Sequence, residues 1–379
     1  MSKDVKNVPA LRFKGFSDAW EKRYLKDVIY VNSGRDYKHL SPGMIPVYGT
    51  GGYMLSVNEA LSYEDAIGIG RKGTIDKPYL LKAPFWTVDT LFYLTVQDNM
   101  DISFVFPLLQ TIRWKQLDES TGVPSLSKKT IESVMVHVPK KEEQKNLGNL
   151  FLFVDNLIAA TQQKLDNLRQ VKKSMSQHLL GKSIRFREFS ATWEKRKLGD
   201  LLKERNVQHP QSSEYPLVSF TVENGVTPKT ERYEREQLVR GDKQAKRYKE
   251  TRLDDIVYNP ANLKFGAIAR NSFGKAVFSP IYVTFEVNQE LALAKYVELL
   301  VTQNSFLSRA LRYQQGTVYE RQSVSPRDLL NLSVALPDKE EQMNISLVFS
   351  RLDKLIMTTQ SQLSTFKILK KSLLQNLFV

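Results

Sequence analysis

The sequence predicts an α+β protein: two globular mixed α/β domains, each closed by a long helix, arranged as an internal repeat. Three observations carry this. Two motifs recur in the same order, each second motif opens an apolar heptad pattern of roughly 40 residues, and the stretches between the motifs alternate β-type runs with turn residues.

The first motif, RFKGFSDAWEKRYLKD (12–27), returns as RFREFSATWEKRKLGD (185–200), 173 positions on. Phe13, Phe16, Trp20, Glu21, Arg23 and Leu25 recur as Phe186, Phe189, Trp193, Glu194, Arg196 and Leu198. PKKEEQ (139–144) returns as PDKEEQ (337–342), 198 positions on, and Asp155, Lys172 and Lys173 recur as Asp353, Lys370 and Lys371. The shifts differ by 25, so the interior of the second copy is longer by that amount. The domains run 1–139 and 182–337, the helical segments 140–181 and 338–379.

After each PxKEEQ, apolar residues step by four and three. In the first copy these are Leu147, Phe151, Val154, Ile158, Leu165, Leu168, Met175 and Leu179, with Thr161 and Lys172 in polar slots. In the second they are Ile345, Phe349, Leu352, Ile356, Leu363, Phe366, Leu373 and Leu377, with Thr359 and Lys370 in those slots. Two helices with matched seams of this period pack on each other, or else each packs on its own globular segment, and heptads alone leave parallel and antiparallel order open. Pro139 and Pro337 stop the preceding strands, Glu142, Glu143, Glu340 and Glu341 suit the first helical turn, Asp338 with Glu341 resembles a capping box, and Gly181 is expected to end the first helix. Each helix extends for roughly 60 Å.

The interiors, roughly 28–138 and 201–336, carry strand-like runs at TLFYLTV (90–96), DIVY (255–258) and IYVTFEV (281–287). Turn signals stand at Pro42-Gly43, Gly51-Gly52 and Asn224-Gly225, and helical patches near 102–114 and 290–312.

Lys and Arg number 55 against 41 Asp and Glu, a net +14 over 379 residues. Such a surface faces DNA, RNA or an anionic membrane, or serves solubility alone. No cysteine is present, the four histidines (His39, His137, His178, His209) lack ligand spacing, and no catalytic triad or carboxylate pair is visible from spacing. No metal or cofactor is expected. No run is long enough to span a bilayer, the N-terminal residues show no signal core, and the expected location is the cytoplasm.

Two local patterns invite catalytic readings. Asn259-Pro260-Ala261-Asn262 is a partial match to the Asn-Pro-Pro-aromatic tetrapeptide of adenine methyltransferases, without the second proline or the aromatic. GIGRKG (68–73) matches G-x-G-x-x-G, but a dinucleotide loop must open a helix, and TIDKPYLL follows. A strand, a turn bearing Arg71 and Lys72, and a second strand is the better reading. Its tip either touches DNA or is a solvated hairpin. Lys264 and Arg270 follow DIVYNP much as Arg71 and Lys72 follow EDAIGI. Further candidate DNA contacts are Lys77, Tyr48, Tyr53, Lys229, Arg232, Lys246, Arg247 and Lys249; the stretch at 230–252 also carries acids and could be only a charged helix face.

The duplicated WEKRxLxD and PxKEEQ motifs, the YGTGG…IGRKGT…PFWTVDT run and DIVYNP…SPIYVTF together resemble the specificity subunits of type I restriction–modification systems, over essentially the whole chain. The resemblance implies two target-recognition domains that read the halves of an asymmetric bipartite site on double-stranded DNA. It implies conserved helices paired as an antiparallel coiled coil with pseudo-twofold order, including Phe151, Val154, Ile158, Leu165, Leu168, Phe349, Leu352, Ile356, Leu363 and Phe366. These helices set the spacer and dock two modification and two restriction subunits, which carry the catalysis. A coiled-coil scaffold without sequence reading fits the charge and the divergent interiors less well. A self-sufficient methyltransferase lacks its methyl-donor motif.

Overall fold

The computed structural model describes residues 7–222, 225–228, 246–316 and 322–379. Two compact units divide the chain: Met1–Leu165 with Thr358–Val379, and Asp166–Met357.

Unit 1 contains β1 (Glu21–Tyr24), β2 (Ile29–Ser33), a hairpin of β3 (Pro42–Gly49) and β4 (Gly52–Val57), then β5 (Ala66–Gly70), β6 (Tyr79–Leu81), β7 (Trp86–Thr87) and β8 (Leu91–Val96). Two helices, α1 (Ile102–Thr111) and α2 (Lys128–Ser133), and β9 (Met135–Val138) lead into the long α3 (Lys141–Leu179). Unit 2 contains β10 (Glu194–Lys197), the single turn α4 (Leu198–Leu201), β11 (Leu202–Glu204), β12 (Gln208–His209), β13 (Val218–Thr221), β14 (Gly225–Pro228) and β15 (Tyr248–Thr251). Next come β16 (Ile256–Tyr258), β17 (Ile268–Arg270), β18 (Ala276–Phe278) and β19 (Val283–Val287), then α5 (Ala294–Val301), α6 (Asn304–Leu311), α7 (Pro326–Leu330), β20 (Ser333–Leu336) and the long α8 (Lys339–Asn376).

Both units are mixed α/β and wound alike. The central sheet has the order β2-β8-β5-β6 in unit 1 and β11-β19-β16-β17 in unit 2. Strands β5 and β16 are buried at every residue, which explains why AIGIG and IVY lack polar alternation. Most of the extra length of the second copy falls between β11 and β16, a stretch that includes residues 229–245, outside the described part.

The repeated motifs meet in space. Strand β1 pairs antiparallel with β9, from Glu21 opposite Val138 to Tyr24 opposite Met135, and β10 pairs with β20 in the same way. WEKR is thereby zipped to the strand that ends at the helix-starting proline. Arg12 donates two hydrogen bonds to Glu143 at 2.7 and 2.8 Å, and Arg185 donates two to Glu341 at 2.9 and 2.6 Å. Both carboxylates are almost fully buried, at 2% and 1% exposure. The Gln144 amide donates to the Pro139 carbonyl at 2.9 Å and accepts the Asp101 N–H at 3.1 Å. Gln342 repeats this with Pro337 at 2.9 Å and the Leu293 N–H at 2.9 Å. In KEEQ, then, the second Glu holds the arm and the Gln ties strand end, long helix and domain helix together.

Every heptad position of α3 and α8 is buried or half-buried, including Phe151, Val154, Ile158, Leu165, Leu168, Phe349, Leu352, Ile356, Leu363 and Phe366. In unit 1 the Phe151 ring lies 5.6 Å from Phe378, and Lys370 Nζ lies 2.6 Å from Asp155. In unit 2, Lys172 Nζ lies 2.5 Å from Asp353. Residues early in one helix meet residues late in the other, so the pairing inside each unit is antiparallel. The Lys172 and Lys370 slots of the seam are filled by ion pairs, and each repeated Asp takes the Lys of the other copy.

Several sequence expectations shift in detail. The Glu341 N–H donates to Asp338 at 2.8 Å, but the return half of the capping box is not made, because Arg185 and the Trp193 indole N–H (2.9 Å) occupy the Glu341 carboxylate. At the end of α3, Lys182 takes the left-handed conformation (φ 65°), while Gly181 serves close approach: a Cβ there would stand 2.1 Å from the Gln177 carbonyl oxygen. Pro42-Gly43 lies inside β3 at a register shift instead of forming a turn. The helical patch at 290–312 is split into α5 and α6.

Arg12→Met leaves the Glu143 carboxylate buried and unpaired, so it should lower stability by roughly 2–4 kcal/mol. Arg23→Met, whose partner Glu21 is exposed, should cost under about 1 kcal/mol. Denaturant midpoints of the two variants read the difference.

Candidate nucleic-acid interface

GIGRKG spans the end of β5 and the loop to β6, and those strands pair antiparallel, with Ala66 opposite Leu81 and Gly68 opposite Tyr79. No helix opens there. Gly73 has φ +90°, and a Cβ on Gly70 would stand 2.1 Å from the Thr74 carbonyl oxygen, so both glycines serve the turn. The loop backbone is tied on two sides: the Arg71 N–H donates to Thr90 at 2.8 Å, the Gly73 N–H to Pro124 at 2.8 Å, and the Leu126 N–H to Arg71 at 3.0 Å. Arg71 and Lys72 are exposed at a fixed tip, and among the described residues no acid pairs with either. The Arg71 guanidinium lies 5.7 Å from the Phe92 ring centre. Together with Ser33, Ser125 and Lys128, these cations line a concavity of about 330 Å³. Lys128 and Ser125, more than fifty positions away along the chain, had no local signal in the sequence.

Beside this loop in unit 1, the β3–β4 hairpin turns at Gly51-Gly52, with Gly52 at φ +104°. Tyr53 is 62% exposed and meets Tyr48 edge-on at 6.3 Å; Tyr48 in turn lies 6.2 Å from Tyr79. Tyr79 donates to the Gly49 carbonyl at 2.6 Å, and burial pushes its hydroxyl pKa upward, so it stays a neutral anchor. Lys77 is exposed on the same β5–β6 connection.

In unit 2 the equivalent connection, β16 to β17, holds Asn259-Pro260-Ala261-Asn262. The Asn259 side chain is buried and accepts the N–H groups of Ala261 and Asn262 at 3.1 and 3.3 Å. It caps a 3₁₀ turn over Pro260–Phe265 that Gly266 ends at φ +81°. The methyltransferase-like tetrapeptide is a cap. Leu263 anchors the turn in the core, Phe265 stands 60% exposed, and Lys264 Nζ lies 5.2 Å from its ring centre. Next to it, Asn271 organises a turn by accepting the Phe273 and Gly274 N–H groups at 2.8 and 3.2 Å, leaving Phe273 40% exposed. Neither exposed aromatic was singled out from the sequence, where a lone Phe carries no local sign of exposure.

The remaining basic candidates separate. Lys246 and Arg247 are exposed, and Lys246 lies 5.2 Å from the centre of the Tyr248 ring. Lys249 is buried against Glu204 at 2.9 Å and Asn206 at 3.1 Å. Arg270 is engaged by Asp254 at 2.5 Å and Glu298 at 3.4 Å. Both charges are spent inside the unit, so neither enters the interface proposed below. Lys229 and Arg232 lie outside the described residues.

No helix among the described residues is long and apolar enough to cross a membrane. Residues 17–170 match the family model of the Type I restriction modification DNA specificity domain. The Type I restriction enzyme MjaVIII specificity subunit of Methanocaldococcus jannaschii is 30% identical over 137 residues, 35% of this chain and 31% of that protein. The chain thus matches about a third of the length of that relative. The crystal structure of the type I restriction–modification S subunit from M. genitalium superposes with TM-score 0.72 at 13% identity, over 98% of this chain and 99% of that one. A chain from a study of complex assembly in the type I R-M system superposes with TM-score 0.51 at 11% identity, over 94% and 96%. At those identities the two structures establish the fold.

Asn259→Ala removes the cap and should cost about 1–2 kcal/mol in unfolding free energy, whereas Asn259→Ser, which keeps an acceptor, should retain most of it. Equal losses in the two variants would contradict the capping role.

Proposed function

We propose that the chain is a member of the type I restriction modification DNA specificity family, whose model residues 17–170 match, and that each of its units reads one half of an asymmetric bipartite DNA site. One observation carries this reading: identical strand order supports chemically different tips. Arg71, Lys72 and Lys77 stand with Tyr48 and Tyr53 after β5 and around its hairpin neighbour, and Lys264 with Phe265 after β16. Lys246 and Arg247 extend the second set, and Lys229 and Arg232 belong to it by sequence. Cations on fixed tips suit phosphate contact, and the aromatic groups beside them suit base edges.

The chain itself is non-catalytic in this reading. Base flipping and transfer of a methyl group to adenine N6 belong to two modification subunits, and ATP-dependent cleavage to two restriction subunits. Duplicated helix starts present like surfaces to like partners. The long helices, each shared between the units, set the spacer; their length of roughly 60 Å exceeds one helical turn of duplex, about 34–36 Å. The complex works in the cytoplasm, on double-stranded DNA.

Arg71→Ala with Lys72→Ala should weaken DNA binding by the assembled complex and reduce the slope of log affinity against log salt by roughly 1–2. A slope equal to wild type would remove this loop from the phosphate backbone. Inserting four residues after Gln163 should lengthen the spacer of the methylated site while both half-sites keep their bases. Sequencing of modified adenines reads this, and an unchanged spacer would sink the ruler role.

A further inference from the structure

The antiparallel helix pair carries the same ion pair in both units, Lys370–Asp155 in unit 1 and Lys172–Asp353 in unit 2. What lies beyond the pair differs. The helix staple aligns Asp101 with Leu293, since Gln144 accepts the N–H of one and Gln342 that of the other. Counting on from there, Ser103 corresponds to Lys295 and Phe106 to Glu298. In unit 1, Lys370 Nζ lies 5.8 Å from the centre of the Phe106 ring, and among the described residues no further ion pair continues from Lys370 or Asp155. In unit 2 the charges continue. Asp353 also takes Lys295 at 3.0 Å, Lys295 reaches Glu298 at 2.9 Å, Glu298 takes Arg270 at 3.4 Å, and Arg270 takes Asp254 at 2.5 Å.

This chain of charges starts on α3 and α8 and ends at the proposed DNA-reading loop. Arg270 is the last residue of β17 and Asp254 stands just before β16, so the two bracket the connection that carries Lys264 and Phe265. A cleft of about 1010 Å³, lined by Lys173 and Phe349 on the helix side and by Gly266 and Ser272 on the loop side, separates them. Apolar packing does not fill this face, and the charge chain crosses it. Burial works against the Lys295 ammonium, but Glu298 and Asp353 outweigh it and hold its pKa above the ordinary lysine value. Burial likewise opposes ionisation of Asp353, and Lys172 and Lys295 outweigh it to hold that carboxyl below the ordinary range. Lys295 and Asp353 are therefore both charged at neutral pH. Half-buried ion-pair networks add little stability and fix arrangement more than strength.

We propose that Lys172, Asp353, Lys295, Glu298 and Arg270 are positioning residues that set the attitude of the second recognition loop to the long helices, and so make the second half-site the one that discriminates spacer length. The proposal rests on the bipartite reading above. Unit 1 has an aromatic ring, Phe106, at the place where unit 2 has Glu298.

The test uses the full chain assembled with its modification subunit, on duplexes carrying both half-sites at the native spacer and at one base pair more or less. For Lys295→Met, methylation at the off-length spacers relative to the native one should rise roughly tenfold over wild type, the size of a coupling of about 1.4 kcal/mol. Lys295→Arg, which keeps the charge, should restore wild-type discrimination, and Lys370→Met in unit 1 should leave the profile unchanged. If Lys295→Met does not assemble, Glu298→Gln breaks the next link and is read in the same way. A wild-type profile in an assembled Lys295→Met or Glu298→Gln complex overturns the proposal, as does equal broadening by Lys370→Met. A wild-type complex that marks no bipartite site overturns the reading on which it rests.

Discussion

The bidentate pairs Arg12–Glu143 and Arg185–Glu341 are the interaction on which the rest depends. Each ties the arm before a domain to the first turn of the helix after it, so the domain is closed at both ends by one buried contact. The paired strands β1–β9 and β10–β20 bring the partners together, and the glutamines beside the glutamates tie in α1 and α5. A buried carboxylate without its guanidinium is costly. That cost makes the geometry of closure nearly all-or-none, and the same bidentate pair imposes it in both halves.

With closure fixed, the interior is free to change. Both sheets keep one strand order, and the β5–β6 and β16–β17 connections emerge at the same place in it. One presents a glycine turn with two cations; the other presents an asparagine-capped turn with a lysine and an exposed phenylalanine. The two turns are held by different chemistry, Gly70 and Gly73 in one and Asn259 and Gly266 in the other. A constant frame with unlike tips is what reading two different half-sites requires.

Much of this was legible in the sequence, for identifiable reasons. Duplication exposed the frame without any structure, because Trp20, Glu21, Glu143 and Gln144 recur in order with Trp193, Glu194, Glu341 and Gln342. The seam was legible because Leu147 through Leu377 keep heptad spacing, and the GIGRKG strands because Pro78 forbids a long helix after Gly73. What stayed hidden depends on contacts distant in sequence. Lys249 and Arg270 look like any basic residue until Glu204, Asp254 and Glu298 are seen beside them. Antiparallel order needed the cross-repeat pairs Lys370–Asp155 and Lys172–Asp353, which heptads do not specify. Asn259 read as a faint catalytic motif because a cap and a catalytic Asn-Pro share their first two residues.

The most direct test of the central claim is to sequence modified adenines in DNA from cells carrying this chain together with a type I modification subunit. One asymmetric site of two unlike half-sites at a constant spacer is expected, present only when this chain is expressed. Methylation at a single contiguous or palindromic sequence, or the same sites with and without this chain, would contradict it.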